Sequence, residues 1–454
     1  MVNGSSINSA PWQGRIIHIS DVEGDWDYLT RSLSHYAPVS QLTEHLILPD
    51  DHCFVFGGDA VDGGPGDLAV VTFLVALKER YPDRVVLLAG NRDVNKLRFL
   101  SELRPEYIER TREHDVIVPW RQGILSFHEY LEQNPLQTHS LTERTVAYLK
   151  WMLQYSMGAP HAFEFRAQEL DTHDPVAILN SFRASIAPGG ILAFYLKHAD
   201  LVKGIGNTLF VHGALTPRSC PNRDVSVTQW IEQTNRTYHQ QLDAVMDDLN
   251  QNYSPSHLAP LVYSSLSSDI LNGRSLMTET WLGTDHIPHL SPTIATWLHR
   301  EGYYRVVAGH APCGDHPIMA RTSLHDSRNK ECQLFIHDLR YSTVGGRSKQ
   351  AAALLCIHQS VDESYGFVDG VRHDGLPYHQ TYPKLDATGT LVGDVSETFS
   401  WVGKKVCFGP SNEHWLVTLE NMQTEECLLY RKIEFDVQYR WAGMYELRVV
   451  PSDK

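Results

Sequence analysis

The chain has 454 residues, of which 42% are hydrophobic and 10% aromatic, and carries a formal net charge of −15. These proportions suit a globular protein long enough for one large α/β core with insertions, or for two domains. The acidic balance, with a pI near 5.9, argues against broad binding to a nucleic-acid duplex or an anionic membrane, both of which attract a basic face.

No run approaches the roughly 18 consecutive apolar residues that a membrane span requires, and the polar start lacks a signal-peptide core. Seven scattered cysteines without a Cys-x-x-Cys pair argue against a disulfide framework and fit a reduced, cytoplasmic setting.

In chain order, Arg15 to Ser20 reads as a buried strand, and Asp25 to Tyr36 as a helix with Trp26, Leu29 and Leu33 on one face. Cys53 to Phe56 is a second strand. Leu68, Val71, Leu74, Val75 and Leu77 mark a helix ending near Tyr81, and Val85 to Leu88 is a third strand. This β-α-β-α-β run predicts an α/β fold with a largely parallel sheet covered by helices. From about Lys96 to Leu201 the pattern is helical, strongest over Arg144 to Met157, so residues 96–204 read as a helical insertion over the site. Strands resume at Thr208–Val211, Tyr304–Ala308 and Leu334–Ile336, with a helix over Thr228–Leu249. The core is thus assigned to residues 1–95 and 205–345. Residues 390–454, with strand-like pieces near 401–408, 415–419 and 428–435, form a small β-rich C-terminal extension.

Five motifs follow these strands: Asp21-Val-Glu23-Gly24, Gly58-Asp59-Ala-Val-Asp62-Gly63-Gly64, Gly90-Asn91-Arg92-Asp93, His212-Gly213 and Gly309-His310. Each is a common turn when taken alone; as an ordered set at strand ends they point to one crevice. Two cations about 3.5–4 Å apart call for a bridging carboxylate surrounded by carboxylates, imidazoles and an amide oxygen. Asp59 is the candidate bridge. Asp21 and Glu23, expected on one side of an extended segment, suit the first metal, and Asn91, His212 and His310 the second. An acidic protein that binds phosphate requires such ions to reverse the local sign.

The motif order resembles the calcineurin-like metallophosphoesterase superfamily. GDAVDGG and FVHGALTP look especially like the phosphoprotein phosphatases and their diadenosine-tetraphosphatase relatives. The resemblance covers roughly residues 15–95 and 205–340. It implies a βαββα sandwich of two mixed sheets, two metal ions (Mn or Fe foremost, Mg or Zn otherwise), and a metal-bound hydroxide attacking phosphorus in line.

The chain departs from that pattern at three positions. Glu23 replaces a usual histidine, and a carboxylate, being a harder ligand, favours Mn²⁺, Mg²⁺ or Fe over Zn²⁺. Arg92 stands where the family has the leaving-group acid, oriented by an aspartate matching Asp62. An arginine with a pKa above about 12 cannot donate a proton near neutrality, but it can neutralise oxygen charge. Gly63 replaces the phosphate-binding arginine, for which Arg98, Arg274 and Arg340 are candidate substitutes. Of the scattered His-Asp pairs, only His337-Asp338, just past a strand, is kept as a near-site element.

These departures predict hydrolysis of a small, nucleotide-like phosphoanhydride or activated phosphate. A phosphoprotein phosphatase, perhaps for phosphotyrosine, and a degenerate phosphate-binding protein are the alternatives.

Overall fold

The computed structural model describes residues 12–116, 124–217, 219–220, 224–246, 275–281, 290–311, 317–324, 330–339, 352–371 and 377–392 with their side chains, and strands between 401 and 450 by backbone. Strands β1 (Gly14–Ile19), β2 (His52–Phe56) and β3 (Val85–Leu88) run parallel, with Arg15 opposite His52 and Phe54 opposite Val85. Burial on both faces explains their near-continuous apolar runs. The helix Trp26–Ser34 and the helix Asp67–Arg80 carry the chain back between them. Asp25 caps the former, accepting a hydrogen bond from the Tyr28 N–H at 2.9 Å.

After β3 the described elements between Asn91 and His198 are all helices. The expected helix at Arg144–Met157 is a helix Leu141–Trp151 continued by a π-helical turn, Met152–Ser156. Pro175–His198 has the length and mean hydropathy, 1.3, of a membrane span. It is, however, two helices broken at Ala187, and Ile178, Phe182, Leu192 and Leu196 pack into the core.

The first sheet continues through β4 (Ala199–Asp200) beside β3. Its other flank is built by β10 (Ala352–Gln359), β11 (Glu363–Val371), β12 (Pro377–Thr381), β13 (Lys384–Asp386) and β14 (Leu391–Val392). The second sheet has the order β15-β8-β9-β7-β6-β5. Its members are β5 (Val202–Ile205), β6 (Thr208–Val211), β7 (Arg305–Ala308), β8 (Ile318–Ser323), β9 (Glu331–Ile336) and β15 (Trp401–Val402). A third, antiparallel sheet lies within Lys404–Val450, where the C-terminal β-rich extension was expected.

Both large sheets are mixed, and they pack face to face. His18 of β1 stacks on Phe210 of β6 with ring centroids 5.9 Å apart, and Gly366 of β11 leaves room for Phe335 of β9. At the end away from the site, the buried Arg305 of β7 reaches Gln333 at 3.0 Å and Ser364 of β11 at 3.3 Å, joining the sheets. Residues 346–389 had no assignment from sequence, yet β10 pairs antiparallel with β1, Ile16 opposite Ile357. Arriving from far along the chain and antiparallel, it carries none of the βαβ rhythm by which its neighbours were read.

Candidate metal centre

The carboxyl ends of β1, β2, β3, β6 and β7 lie along one edge of the sandwich, and each releases one of the five motifs there. Backbone hydrogen bonds hold the loops side by side: Asp21 N–H to Gly58 O at 2.9 Å, Glu23 N–H to Asp59 O at 2.8 Å, and Gly309 N–H to His212 O at 2.9 Å. Asp21, Glu23, Asp59, Asp62 and His310 all have positive φ, at 53°, 50°, 56°, 106° and 65°. Such backbones cost about 1–3 kcal/mol each and persist where the surroundings impose them, characteristically at functional sites. The expectation of an extended Asp21–Glu23 segment is thereby corrected: the chain turns left-handed at both carboxylates. Gly90 and Gly309 permit the close approach, since a Cβ at the first would overlap Asp59 and at the second Asp21 and Ser20.

Asp59, His212 and His310 bring one ligand atom each within 4.8 Å of one another. His212 Nε2 lies 3.0 Å from Asn91 Oδ1 and 3.4 Å from Asp59 Oδ1. Its Nδ1 is 2.8 Å from the Gly57 carbonyl, which can only accept. In the neutral ring the proton therefore sits on Nδ1, and the Nε2 lone pair faces two oxygen acceptors, an arrangement that suits a shared cation. Asp21 borders this group, its carboxylate accepting the His310 N–H at 3.1 Å and the Ser20 hydroxyl at 2.5 Å. Glu23 Oε1 instead takes the Arg92 Nε at 2.9 Å, and Arg92 stands 3.6 Å from both Asp59 and Asp62.

Burial raises the Asp21 carboxyl well above its ordinary value, and the nearby Asp59 adds to the effect. Asp59 is raised by burial too, against the pull of His212 and Arg92. Burial also holds His310 down at about 3, hence neutral, with His212 adding to the effect. Burial lowers Arg92, but Glu23 and the neighbouring aspartates outweigh it and raise the guanidinium above its usual range. Among the described residues, five carboxylates are buried together here, Asp21, Glu23, Asp59, Asp62 and Asp93, and three of them pair with cations: Glu23, Asp59 and Asp62 with Arg92, and Asp62 also with Lys96. Uncompensated charge of this kind is costly away from water, and divalent cations would offset it. The donor set of carboxylates, imidazoles and one amide oxygen fits Mn, Fe or Mg, with Zn less favoured at Glu23.

Three residues have roles that the sequence reading did not assign: Asp93, named only as part of the third motif, and Lys96 and Asp67. Asp93 accepts the N–H groups of Asp59 at 2.9 Å, Ala60 at 2.7 Å and Gly90 at 3.0 Å, tying the β2 loop to the β3 loop. Lys96, one helical turn after Arg92, is buried with its Nζ 2.6 Å from Asp62 Oδ2. Asp67 accepts the Asp62 N–H at 2.9 Å and pairs with Arg166 of the helical region at 3.3 Å. For Lys96 and Asp67 the available signal was spacing to the motifs, but aspartates and lysines a few residues from a turn are common in any surface loop; for Asp93 it was membership of the motif itself.

Of the candidate replacements for the phosphate arginine, Arg98 is excluded. It is buried and forks onto Glu102 at 2.6 and 3.0 Å. Arg274 and Arg340 lie outside the described residues. His337 sits under the site, its Nδ1 3.0 Å from that of His18 on β1.

Residues 14–162 match the family model described as calcineurin-like phosphoesterase. Over 89 residues the chain is 33% identical to a serine/threonine-protein phosphatase of Caenorhabditis elegans, a match covering 19% of this chain and 18% of that protein. Over 102 residues it is 31% identical to a serine/threonine-protein phosphatase of Arabidopsis thaliana, covering 22% of this chain and 10% of that protein. The matched stretches thus span less than a fifth of these relatives' length. Among solved structures, a cold-active protein-tyrosine phosphatase of a psychrophilic Shewanella aligns over 81% of this chain and 80% of that one, at 15% identity and TM-score 0.42. With the motif order, the two mixed sheets and the match over residues 14–162, the chain carries a calcineurin-like phosphoesterase domain.

Proposed function

We propose that the chain is a metal-dependent phosphohydrolase in which Asp21, Glu23, Asp59, Asn91, His212 and His310 would hold two cations, Asp59 serving both. The observation that carries this reading is the strained convergence of the strand-end loops, which places Asp59, His212 and His310 within 4.8 Å of one another. Bound there, the cations would supply Lewis acidity and charge neutralisation at the phosphoryl oxygens.

Two of the chain's own residues bear on the substrate class. Arg92 holds charge and holds no transferable proton near neutrality, so departure of the leaving group is assisted only electrostatically. Phosphate, a nucleotide or a phenolate leaves without protonation; a serine alkoxide does not. Gly63 contributes no side chain where an arginine would grip a phosphoprotein's phosphate. Both features favour a small phosphoanhydride or activated phosphate, nucleotide-like in character, over a phosphoserine peptide.

Mn²⁺-loaded protein assayed against nucleotides, dinucleotides, sugar nucleotides and phosphopeptides tests this reading. Hydrolysis concentrated on anhydrides and aryl phosphates is the expected result. Preference for phosphoserine peptides would overturn the substrate class, and no turnover of any substrate by fully loaded protein would overturn the enzyme.

A further inference from the structure

Two cations converge on Asp62, and only one reaches it. Lys96 Nζ lies 2.6 Å from Asp62 Oδ2, while Arg92 Nη1 stops at 3.6 Å from the same oxygen. Among the described residues, Asp62 Oδ1 and Arg92 Nη1 both lack a hydrogen-bond partner, although the Asp62 side chain is fully buried. Arg92 has turned its Nε to Glu23 instead, at 2.9 Å, with Asp59 3.6 Å away. Lys96 is fixed by its surroundings: it is 2% exposed and packs against Met157 Sδ at 3.8 Å, just past the π-helical turn.

We infer that Lys96 is a positioning residue: by neutralising Asp62 it keeps Arg92 on the Glu23 and Asp59 side of the centre, where a phosphoryl group would meet it. A buried carboxylate stripped of its partner is strongly destabilising, so the nearest remaining cation is drawn in. That cation is Arg92, separated from Asp62 Oδ2 by less than 1 Å more than a normal charge-assisted hydrogen bond of about 2.8 Å. Without Lys96, Arg92 closes on Asp62 and leaves Glu23. Lys96 is itself too deeply buried to touch a substrate and acts only through Arg92. The catalytic consequence rests on the phosphohydrolase reading; the placement of Arg92 does not.

Lys96→Met tests both, with Lys96→Gln, which keeps a donor without the charge, read the same way should the first variant fail to fold. The crystal structure of the variant is expected to show Arg92 hydrogen-bonded to Asp62 and parted from Glu23; Arg92 still on Glu23 would overturn the inference whether or not the protein is active. In kinetics with an aryl phosphate, Lys96→Met is expected to lower kcat/KM roughly 10- to 100-fold, as a misplaced group does. In an Arg92→Ala background the same change is expected to have little further effect, because the residue it places is gone. A full-sized additional loss there, or a lowered melting temperature with unchanged kcat/KM in the Arg92-containing enzyme, would make Lys96 merely structural. Absence of turnover in the wild type would count against the proposed function, while the Arg92 position would still decide this inference.

Discussion

Arg92 donates its Nε to Glu23 Oε1 at 2.9 Å, joining the two residues at which the chain departs from the histidines of the motif pattern it resembles. One departure accommodates the other: a carboxylate in the first motif receives the guanidinium of the third, which two histidines would not do.

The leaving group is the first consequence. With no proton donor at Arg92, rates should fall steeply as leaving-group pKa rises, aryl phosphates and anhydrides far outpacing alkyl phosphates. Arg92→Ala should cost on the order of 2–4 kcal/mol of transition-state stabilisation, as loss of one oxyanion donor does. Turnover and melting temperature measured on one preparation separate this from a structural role, which would lower stability and spare the catalytic constant.

Asp93 should matter for stability more than its place beside the ligands suggests. Asp93→Ala leaves the N–H groups of Asp59, Ala60 and Gly90 without their acceptor. At about 1–3 kcal/mol for each buried unpaired donor, partly relieved by water, a loss of roughly 3–5 kcal/mol is expected in chemical denaturation. A loss below about 1 kcal/mol would show that the loops hold their shape without it.

The buried His18–His337 pair predicts acid sensitivity. Burial lowers both rings, His337 to about 3, while the unfolded chain protonates them near the ordinary value of about 6.5. Both are therefore neutral when folded, and their stabilisation is fully present above pH 6.5 and lost progressively as pH falls toward 3. For His337, linkage gives a loss of about 2 kcal/mol between pH 7 and pH 5. His337→Gln should flatten the pH dependence of the unfolding free energy over that interval by a similar amount; an unchanged slope would assign the acid limb to other groups.

The parallel half of the fold was legible because β1, β2 and β3 are short buried runs separated by helix-forming segments, with Asp21-Val-Glu23-Gly24, Gly58-Asp59 and Gly90-Asn91 just past their ends. β10 and β11 were not, because an antiparallel return from residue 352 has no local marker. At the site, residue types and order were readable in Asp21, Asp59, Asn91, His212 and His310. The left-handed backbones of Asp21, Glu23, Asp59, Asp62 and His310 were not, since the strain comes from neighbouring loops and not from local propensity. The roles of Lys96 and Asp93 were hidden for the same reason: each acts on a partner on another loop, 34 positions away in both cases, Asp62 for Lys96 and Asp59 for Asp93.

The central claim is the two-cation centre, and metal stoichiometry tests it most directly. Protein reconstituted with excess Mn²⁺ and desalted is expected to retain close to two ions per chain. Asp59→Asn, which weakens both positions at once, is expected to retain neither fully and to lose turnover while keeping its fold. One ion or none in the wild type, measured well above any plausible dissociation constant, or wild-type activity in Asp59→Asn, would contradict the account.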